Sequence, residues 1–390
     1  MSYLRECLEL LLRWLHVIAA IAWIGESFYF VALDNGLRPP KPGTAPEGVA
    51  GESWSVHGGG FYNKQKYLVA PAVMPEVLHW SKWKSYTTWL SGFGLFSALY
   101  LSQPKVFLVD PAVSSLSAGA ASGVAVGFLV FGWLIYDRLC KLVGFHDDVL
   151  GILVGFQALI IAFATTHLFA GRAAFLITGA TMATIMSANV FFVIIPGQKK
   201  MVAAMARGET PDPVYGKRGK QRSVHNTYFT LPVVFTMISN HYASTFSQPD
   251  SWAILALWML AGMLIRQFFV LHHAGRDLYA LPVVGAILIV AALLWMKPAA
   301  PEVVSGPPVA FADVQSIVAS RCLACHSAHP KNVAVAPKGL MFDDPEVIKT
   351  RAADIYRQVF VLKQMPQGNV TQITDEERRQ IARWYQAGAH

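Results

Sequence analysis

Apolar and polar positions fall in long blocks along this chain rather than alternating residue by residue. Eight apolar segments, 8–33, 86–101, 119–137, 149–169, 173–195, 228–246, 251–271 and 278–296, are separated by polar connections. A helix crossing a hydrocarbon layer about 30 Å thick needs about 20 such residues, so these segments read as spanning helices. The second is the shortest, and Pro71 and Pro75 disfavour helix just ahead of it. The first is too long, and too rich in Arg and Glu at its start, for a cleavable leader. From residue 298 the pattern changes. Residues 298–308 are proline-rich and read as a linker, and 309–390 carry only short amphipathic signals. Residues 312–319 suit a helix. Thr374 followed by Glu377 is a capping box opening another helix to about Ala387, with Ile381, Trp384 and Tyr385 available for packing.

Composition narrows the class. Hydrophobic residues are 54% of the chain and charged residues 14%, too apolar for an ordinary soluble protein. A net charge of +8 suits nucleic acid, but the basic residues gather in connections between apolar segments, which argues for a lipid bilayer and against a nucleic-acid partner.

The chemistry begins at Cys322-Leu323-Ala324-Cys325-His326. C-x-x-C-H is the attachment pattern for a c-type haem: each thiol forms a thioether, and the histidine is the proximal iron ligand. Half a zinc site would need two more ligands at similar spacing, and the other cysteines, Cys7 and Cys140, lie in apolar segments. Met365, in a Met-Pro step, is the expected second axial ligand, with Met341 as an alternative. His/Met ligation raises the reduction potential and suits an electron acceptor. The expected fold is therefore all-α: an eight-helix transmembrane bundle over 1–297, a linker over 298–308, and a small class I cytochrome c domain over 309–390. Haem c is attached on the periplasmic side in bacteria, so the C-terminal domain faces outward and eight spans return the N-terminus to the same side. The connections then left inside hold Arg38, Lys64, Lys82, Arg138, Lys199, Arg207 and Arg222, and the outer ones little beyond Lys105 and Arg172. That asymmetry follows the positive-inside rule and points to the bacterial inner membrane.

Ionisable groups within apolar segments need partners. His16, His167 and His241 all fall in the outer half. Two of them could ligate a membrane haem b, or each could make an interhelical hydrogen bond. Glu26, His79, His225, Asn226, Arg266, Gln267, His272 and His273 fall in the inner half or at the inner face. Arg and Gln could clamp a planar, anionic heterocycle, and Glu26 or a histidine could take its proton. The competing reading has Arg266 snorkelling and the paired histidines at the interface. Rows at Gly119/Gly123/Gly127, Gly151/Gly155 and Gly179/Ala183/Ser187 favour close helix packing. His57-Gly58-Gly59-Gly60 lacks the context of a phosphate-binding turn.

Several stretches together carry a resemblance. They are Arg13-Trp14-Leu15-His16 through Trp23 to Tyr29, Thr165 to Phe169 with Gly171 to Phe175, Ser187 to Pro196, His225 through His241-Tyr242, and the haem motif with its Met-Pro loop. With them the chain resembles the bacterial membrane-integral urate hydroxylases, cytochrome c-fused urate oxidases. The first segment alone is also similar to the haem-binding first helix of a protoporphyrinogen oxidase family. The main resemblance implies oxidation of urate to 5-hydroxyisourate, with electrons leaving through the fused haem to a respiratory acceptor, a soluble cytochrome c or a terminal oxidase. It does not assign catalytic residues in the bundle. The expected set is Glu26, His225, Asn226 and Arg266 for catalysis, with Cys322, Cys325, His326, Met365, His16, His167 and His241 for haem. Two rival readings are an electron-transfer subunit linking quinol or a dehydrogenase to an oxidase, and a haem-based sensor or transporter.

Overall fold

A computed structural model describes residues 2–67, 71, 73–297, 302–333 and 335–389, so residues 298–301 of the expected linker lie outside the described residues. Each of the eight apolar segments falls on helix. The bundle comprises α1 (Ser2–Gly36), α2 (Trp83–Phe96, continued by a π-helical turn Ser97–Leu101), the short α3 (Pro104–Phe107), α4 (Ala118–Val143) and α5 (Asp147–Leu168). It continues through α6 (Gly171–Ala188), a π-helical turn Asn189–Ile194, α7 (Ile195–Ala206), α8 (Pro213–Ser239), α9 (Ser251–His273) and α10 (Ala280–Trp295). Among the described residues five helices are long and apolar enough to cross a membrane: Tyr3–Gly36, Ala118–Val143, Asp147–Leu168, Gly171–Ala206 and Ser251–His273.

The bundle is apolar outside, and its largely apolar interior also holds polar side chains. Leu11, Ile18 and Ile21 on α1, Ile152 and Phe156 on α5, and Ile287 and Leu294 on α10 face outward. Ser85, Thr88, Thr165, Thr178, Thr181 and Asn189 are buried. Interior hydroxyls are satisfied locally; Thr178 donates to Ala174 O (2.9 Å) and pairs with Thr165 (2.7 Å). Exposed apolar faces of this extent would be a liability in water and match hydrocarbon.

Of the glycine rows, one sits at a close contact. A Cβ on Gly179 would lie 1.9 Å from Thr236 Oγ1 and 2.8 Å from Thr236 Cβ, so α6 and α8 meet there without room for a side chain. A Cβ on Gly119, Gly123, Gly151 or Gly155 would meet nothing within 4 Å. Gly179→Ala is expected to lower stability by about 1–3 kcal/mol through overpacking, read as a lower unfolding temperature in detergent, whereas Gly151→Ala should not.

Departures from the expectation at α8 and after α1 have local reasons. The helix expected over 228–246 is α8, which starts earlier because Asp212 caps it, accepting from Val214 N (2.9 Å), and Pro213 presets its first turn. It ends at Ser239, so His241 lies in the following turn. The connection after α1 departs from the expected all-α fold and forms an antiparallel hairpin of β1 (Val49–His57) and β2 (Gly60–Tyr67). Its turn is the His57-Gly58-Gly59-Gly60 loop, where Gly58 (φ +57°) and Gly59 (φ +81°) adopt the left-handed conformation of a two-residue turn.

Residues 311–386 build a second hydrophobic core from Val314, Ile317, Val318, Ile348, Ile355, Val359, Ile381 and Trp384. Its helices are α11 (Phe311–Arg321), α12 (Pro345–Thr350), α13 (Ala352–Tyr356) and α14 (Asp375–Gln386). The capping box is present: Glu377 N donates to Thr374 Oγ1 (3.1 Å) and Thr374 N to Glu377 Oε2 (2.7 Å).

Candidate functional site

The end of the bundle far from the C-terminal lobe holds a buried polar network. It is built where the π-helical turn after α6 opens the helix ladder and turns Asn189 inward between α4 and α8. Such turns recur at functional sites. Asn189 Nδ2 donates to Tyr136 Oη (3.2 Å) and to Asn226 Oδ1 (3.0 Å), and Asn226 Nδ2 donates to Met186 O (3.0 Å). Tyr136 Oη lies 2.7 Å from His225 Nδ1. Since the phenol oxygen already accepts from Asn189, its hydrogen points at Nδ1, which assigns the ring hydrogen of His225 to Nε2. Arg222 donates to Asn189 Oδ1 (3.2 Å) and Asp137 Oδ1 (2.8 Å), with its guanidinium 4.9 Å from the Tyr136 ring centre. Lys141 also reaches Asp137 (2.6 Å), so two cations serve one buried carboxylate. Tyr136→Phe would strip partners from both His225 and Asn189. A cost of about 1–3 kcal/mol in thermal or denaturant unfolding is expected for such buried groups left unsatisfied.

On α9, which packs against α8, Arg266 is 4% exposed, and its Nε and Nη2 have no hydrogen-bond partner among the described residues. Its guanidinium lies 4.1 Å from the Phe28 ring centre on α1. Neighbouring polar groups are already paired: Tyr228 donates to Gln267 Oε1, and Ser27 and Thr227 share a 3.4 Å contact. One turn before Arg266, Gly262 lets α9 approach α8, where its Cβ would meet Leu231 and Pro232 at 3.0 and 3.2 Å. A buried cation with free donors is a site for an anion.

The other expected residues are placed as follows. Glu26 accepts from Lys84 Nζ (2.5 Å) and Ser81 Oγ (2.7 Å), an ion pair at the end of α2. His16 turns to α2, its Nδ1 lying 3.0 Å from Thr88 O and 3.2 Å from Ser91 Oγ, over Gly92. His167 is exposed and its Nδ1 bonds Phe163 O on its own helix (2.7 Å). His241 is exposed in the turn after α8. These three share no hydrogen bond or ring contact among the described residues. His272 pairs with Asp277 (2.6 Å) near the surface.

In the C-terminal lobe, Cys325 N and His326 N both donate to Cys322 O (3.0 and 2.8 Å), closing the C-x-x-C-H turn. His326 Nδ1 bonds Leu340 O (3.0 Å), leaving Nε2 as the free nitrogen, and burial holds the imidazole below its ordinary pKa, in the neutral form that ligates metals. Burial, with Cys325 adding to it, pushes the Cys322 thiol up to about 12. Met365 packs against the second core, whereas Met341 is 44% exposed. Arg378 donates to Met365 O (2.8 Å) and to Val359 O (2.5 Å), fixing the Met-Pro loop from behind.

Sequence reasoning singled out His225, Asn226 and Arg266 but missed Tyr136, Asp137, Asn189 and Arg222. The signal available for the last three was complementary: one acid and one base near the ends of apolar segments, plus an amide within one.

Compared with models of protein families, residues 2–297 match the one described as urate oxidase, N-terminal. No curated protein and no solved structure matches the chain.

Proposed function

The chain belongs to the urate oxidase N-terminal family, which makes it an oxidoreductase acting on urate, and from that premise we propose that it oxidises urate within a membrane bundle and delivers the electrons to a covalent haem in its C-terminal lobe. The observation that carries the reading is Arg266, a buried guanidinium with two free nitrogens in a chain of this family. Urate is a planar anion at neutral pH. A guanidinium fork can bind its oxyanion edge by two parallel hydrogen bonds, while Phe28 offers an aromatic face beside it.

From the monoanion the reaction balances as urate plus water giving neutral 5-hydroxyisourate, one proton and two electrons. That proton has an acceptor in the Tyr136–His225 pair: a proton taken at Tyr136 Oη releases the phenol's own hydrogen to His225 Nδ1. Asn189 and Asn226 orient that pair, and Arg222 and Lys141 both engage Asp137 and hold it out of the exchange. Glu26, held by Lys84, serves the binding end as half of an ion pair rather than as a free base.

The electrons need a one-electron carrier, which a c-type haem supplies when bound. Cys322 and Cys325 would hold it by thioethers, and His326 Nε2 and Met365 would supply ligands to its iron. The closed C-x-x-C-H turn, the neutral oriented imidazole and the half-buried Met365 fit that group. A respiratory acceptor, a periplasmic cytochrome c or a terminal oxidase, would reoxidise it. The eight helices would cross the bacterial inner membrane with the lobe on the periplasmic side.

Purified chain in detergent, mixed anaerobically with urate, is expected to reduce its c-type haem. In labelled water the product's new hydroxyl should carry the label. Label arriving from dioxygen, or haem left oxidised by urate, would reject the reading, and the second result would favour a plain electron-transfer subunit. A pyridine haemochrome spectrum of the same sample counts c- and b-type haem separately and so tests the membrane haem expected of His16, His167 and His241.

A further inference from the structure

The loop that carries Met365 rests on the bundle. Gly368 has φ +58°, and a Cβ there would lie 2.5 Å from Val109 O, 3.2 Å from Val106 O and 3.4 Å from Lys105 O. All three carbonyls belong to the segment formed by α3 and its exit, and hydrogen on the α-carbon is all that fits between the two backbones.

That segment is anchored to the bundle. Leu108 is fully buried, and its carbonyl accepts from Ala170 N (2.9 Å) at the α5–α6 corner. Ser114 Oγ donates to Leu168 O (2.7 Å) nearby. Below it an aromatic row leads into the bundle: Phe107 to Tyr100 with ring centres 5.5 Å apart, and Tyr100 to Phe96 at 5.8 Å. On the lobe side, buried Arg378 holds Met365 O and feels the charge of Asp110 from the bundle segment. Backbone contact, a clamp behind the loop and charge attraction across the junction thus converge on one small surface.

We propose that the Met365–Asn369 loop and the Lys105–Asp110 segment form a fixed docking surface, and that the electrons cross from bundle to lobe there, with Gly368 as the residue that permits contact. The lobe is then a docked partner rather than a carrier swinging on residues 298–308. The proposal rests on the haem reading for its electron-transfer half only.

Hydrogen exchange on the full chain in detergent reads the docking without urate. Amides of 105–110 and 367–370 are expected to be protected. Gly368→Val, whose branched side chain meets the three carbonyls, should speed exchange across 105–110, on the bundle side, by tenfold or more while leaving α4–α6 unchanged. Because a side chain at this φ also strains the loop, a second variant is read independently. Lys105→Cys combined with Gln367→Cys should close to a disulfide under mild oxidation, and the locked chain should pass electrons from urate to haem within twofold of its reduced form. Unprotected amides at 105–110 in the parent chain, failure of the pair to close, or a locked chain slowed tenfold or more would each overturn the proposal. If urate reduces neither form, the functional reading fails, and exchange and disulfide closure still decide the docking.

Discussion

Replacing Arg266 with methionine is expected to remove urate binding while leaving the fold as stable as before, or more so. The two effects have one cause. A guanidinium at 4% exposure with two nitrogens unpaired is a desolvated charge that the protein itself does not neutralise. Contact with Phe28 recovers part of that cost, since a cation over an aromatic face gains about 0.5–2 kcal/mol. Methionine fills a similar volume without charge, so the ligand-free protein should unfold at an equal or higher temperature. Binding moves the opposite way. Two charge-assisted hydrogen bonds at about 1.5–3 kcal/mol each correspond to a loss on the order of 10²- to 10⁴-fold in urate kcat/KM. Arg266→Lys keeps the charge but not the planar fork, and should recover only part of that loss. The measurements are steady-state kinetics and calorimetric melting on the same preparations. A variant that loses activity together with stability would mean that Arg266 is a structural residue.

The contrast between Arg266 and Glu26 shows what the sequence can and cannot disclose. Both are charges within apolar segments, and hydropathy alone marks them equally as residues that need a reason. Which one is satisfied depends on tertiary neighbours: Lys84 reaches Glu26 across the α1–α2 contact, and nothing among the described residues reaches Arg266 Nε. The helices themselves were legible, because long apolar runs leave backbone groups no alternative to intrahelical bonding in hydrocarbon. The capping box at Thr374 was legible because its chemistry is local. The hairpin was not, since its strands mix Ser, Lys and Asn with Trp54, Val56 and Phe61 and show no clean alternation. The Asn189 network was half legible. His225 and Asn226 stood out as polar residues at the start of an apolar run, but Tyr136 looked like an ordinary aromatic of α4. Only the π-helical turn, which no periodicity announces, brings Asn189 to both. Where function depends on a residue's own type, the sequence announces it; where it depends on a neighbour about 90 positions away, as for Tyr136 and His225, packing decides.

Met365→Ala tests the other end of the electron path, and its expected effect is the loss of urate-driven turnover without loss of the cofactor. On the proposed function this change touches neither Cys322 nor Cys325, which would tether the haem, nor His326, which would ligate it, so the haem content by pyridine haemochrome should equal that of the parent. What would change is the ligand set that the proposed haem draws from this loop, and with it the reduction potential. Axial ligands set haem potentials over a range of about 0.8 V, and a methionine sulfur lies toward the high end. For a one-electron couple each tenfold change in the equilibrium is about 59 mV, so a fall of about 180 mV makes electron transfer from urate about a thousandfold less favourable. Potentiometric titration should show that fall, and anaerobic mixing with urate should leave the haem largely oxidised. Met341→Ala is the matched control. Met341 is 44% exposed and lies outside the second core against which Met365 packs, so its loss should move neither the potential nor the rate. If the two variants behaved the other way round, Met341 would be the axial ligand and the Met365–Asn369 loop would keep only its contact with the bundle. The Arg378 clamp supplies a further check on the same chain of cause. Arg378→Ala frees Met365 O and Val359 O while leaving in place the four side chains proposed to hold the haem. A loosened methionine should then appear as an intermediate potential and a weakened methionine–iron absorption band, between those of the parent and Met365→Ala.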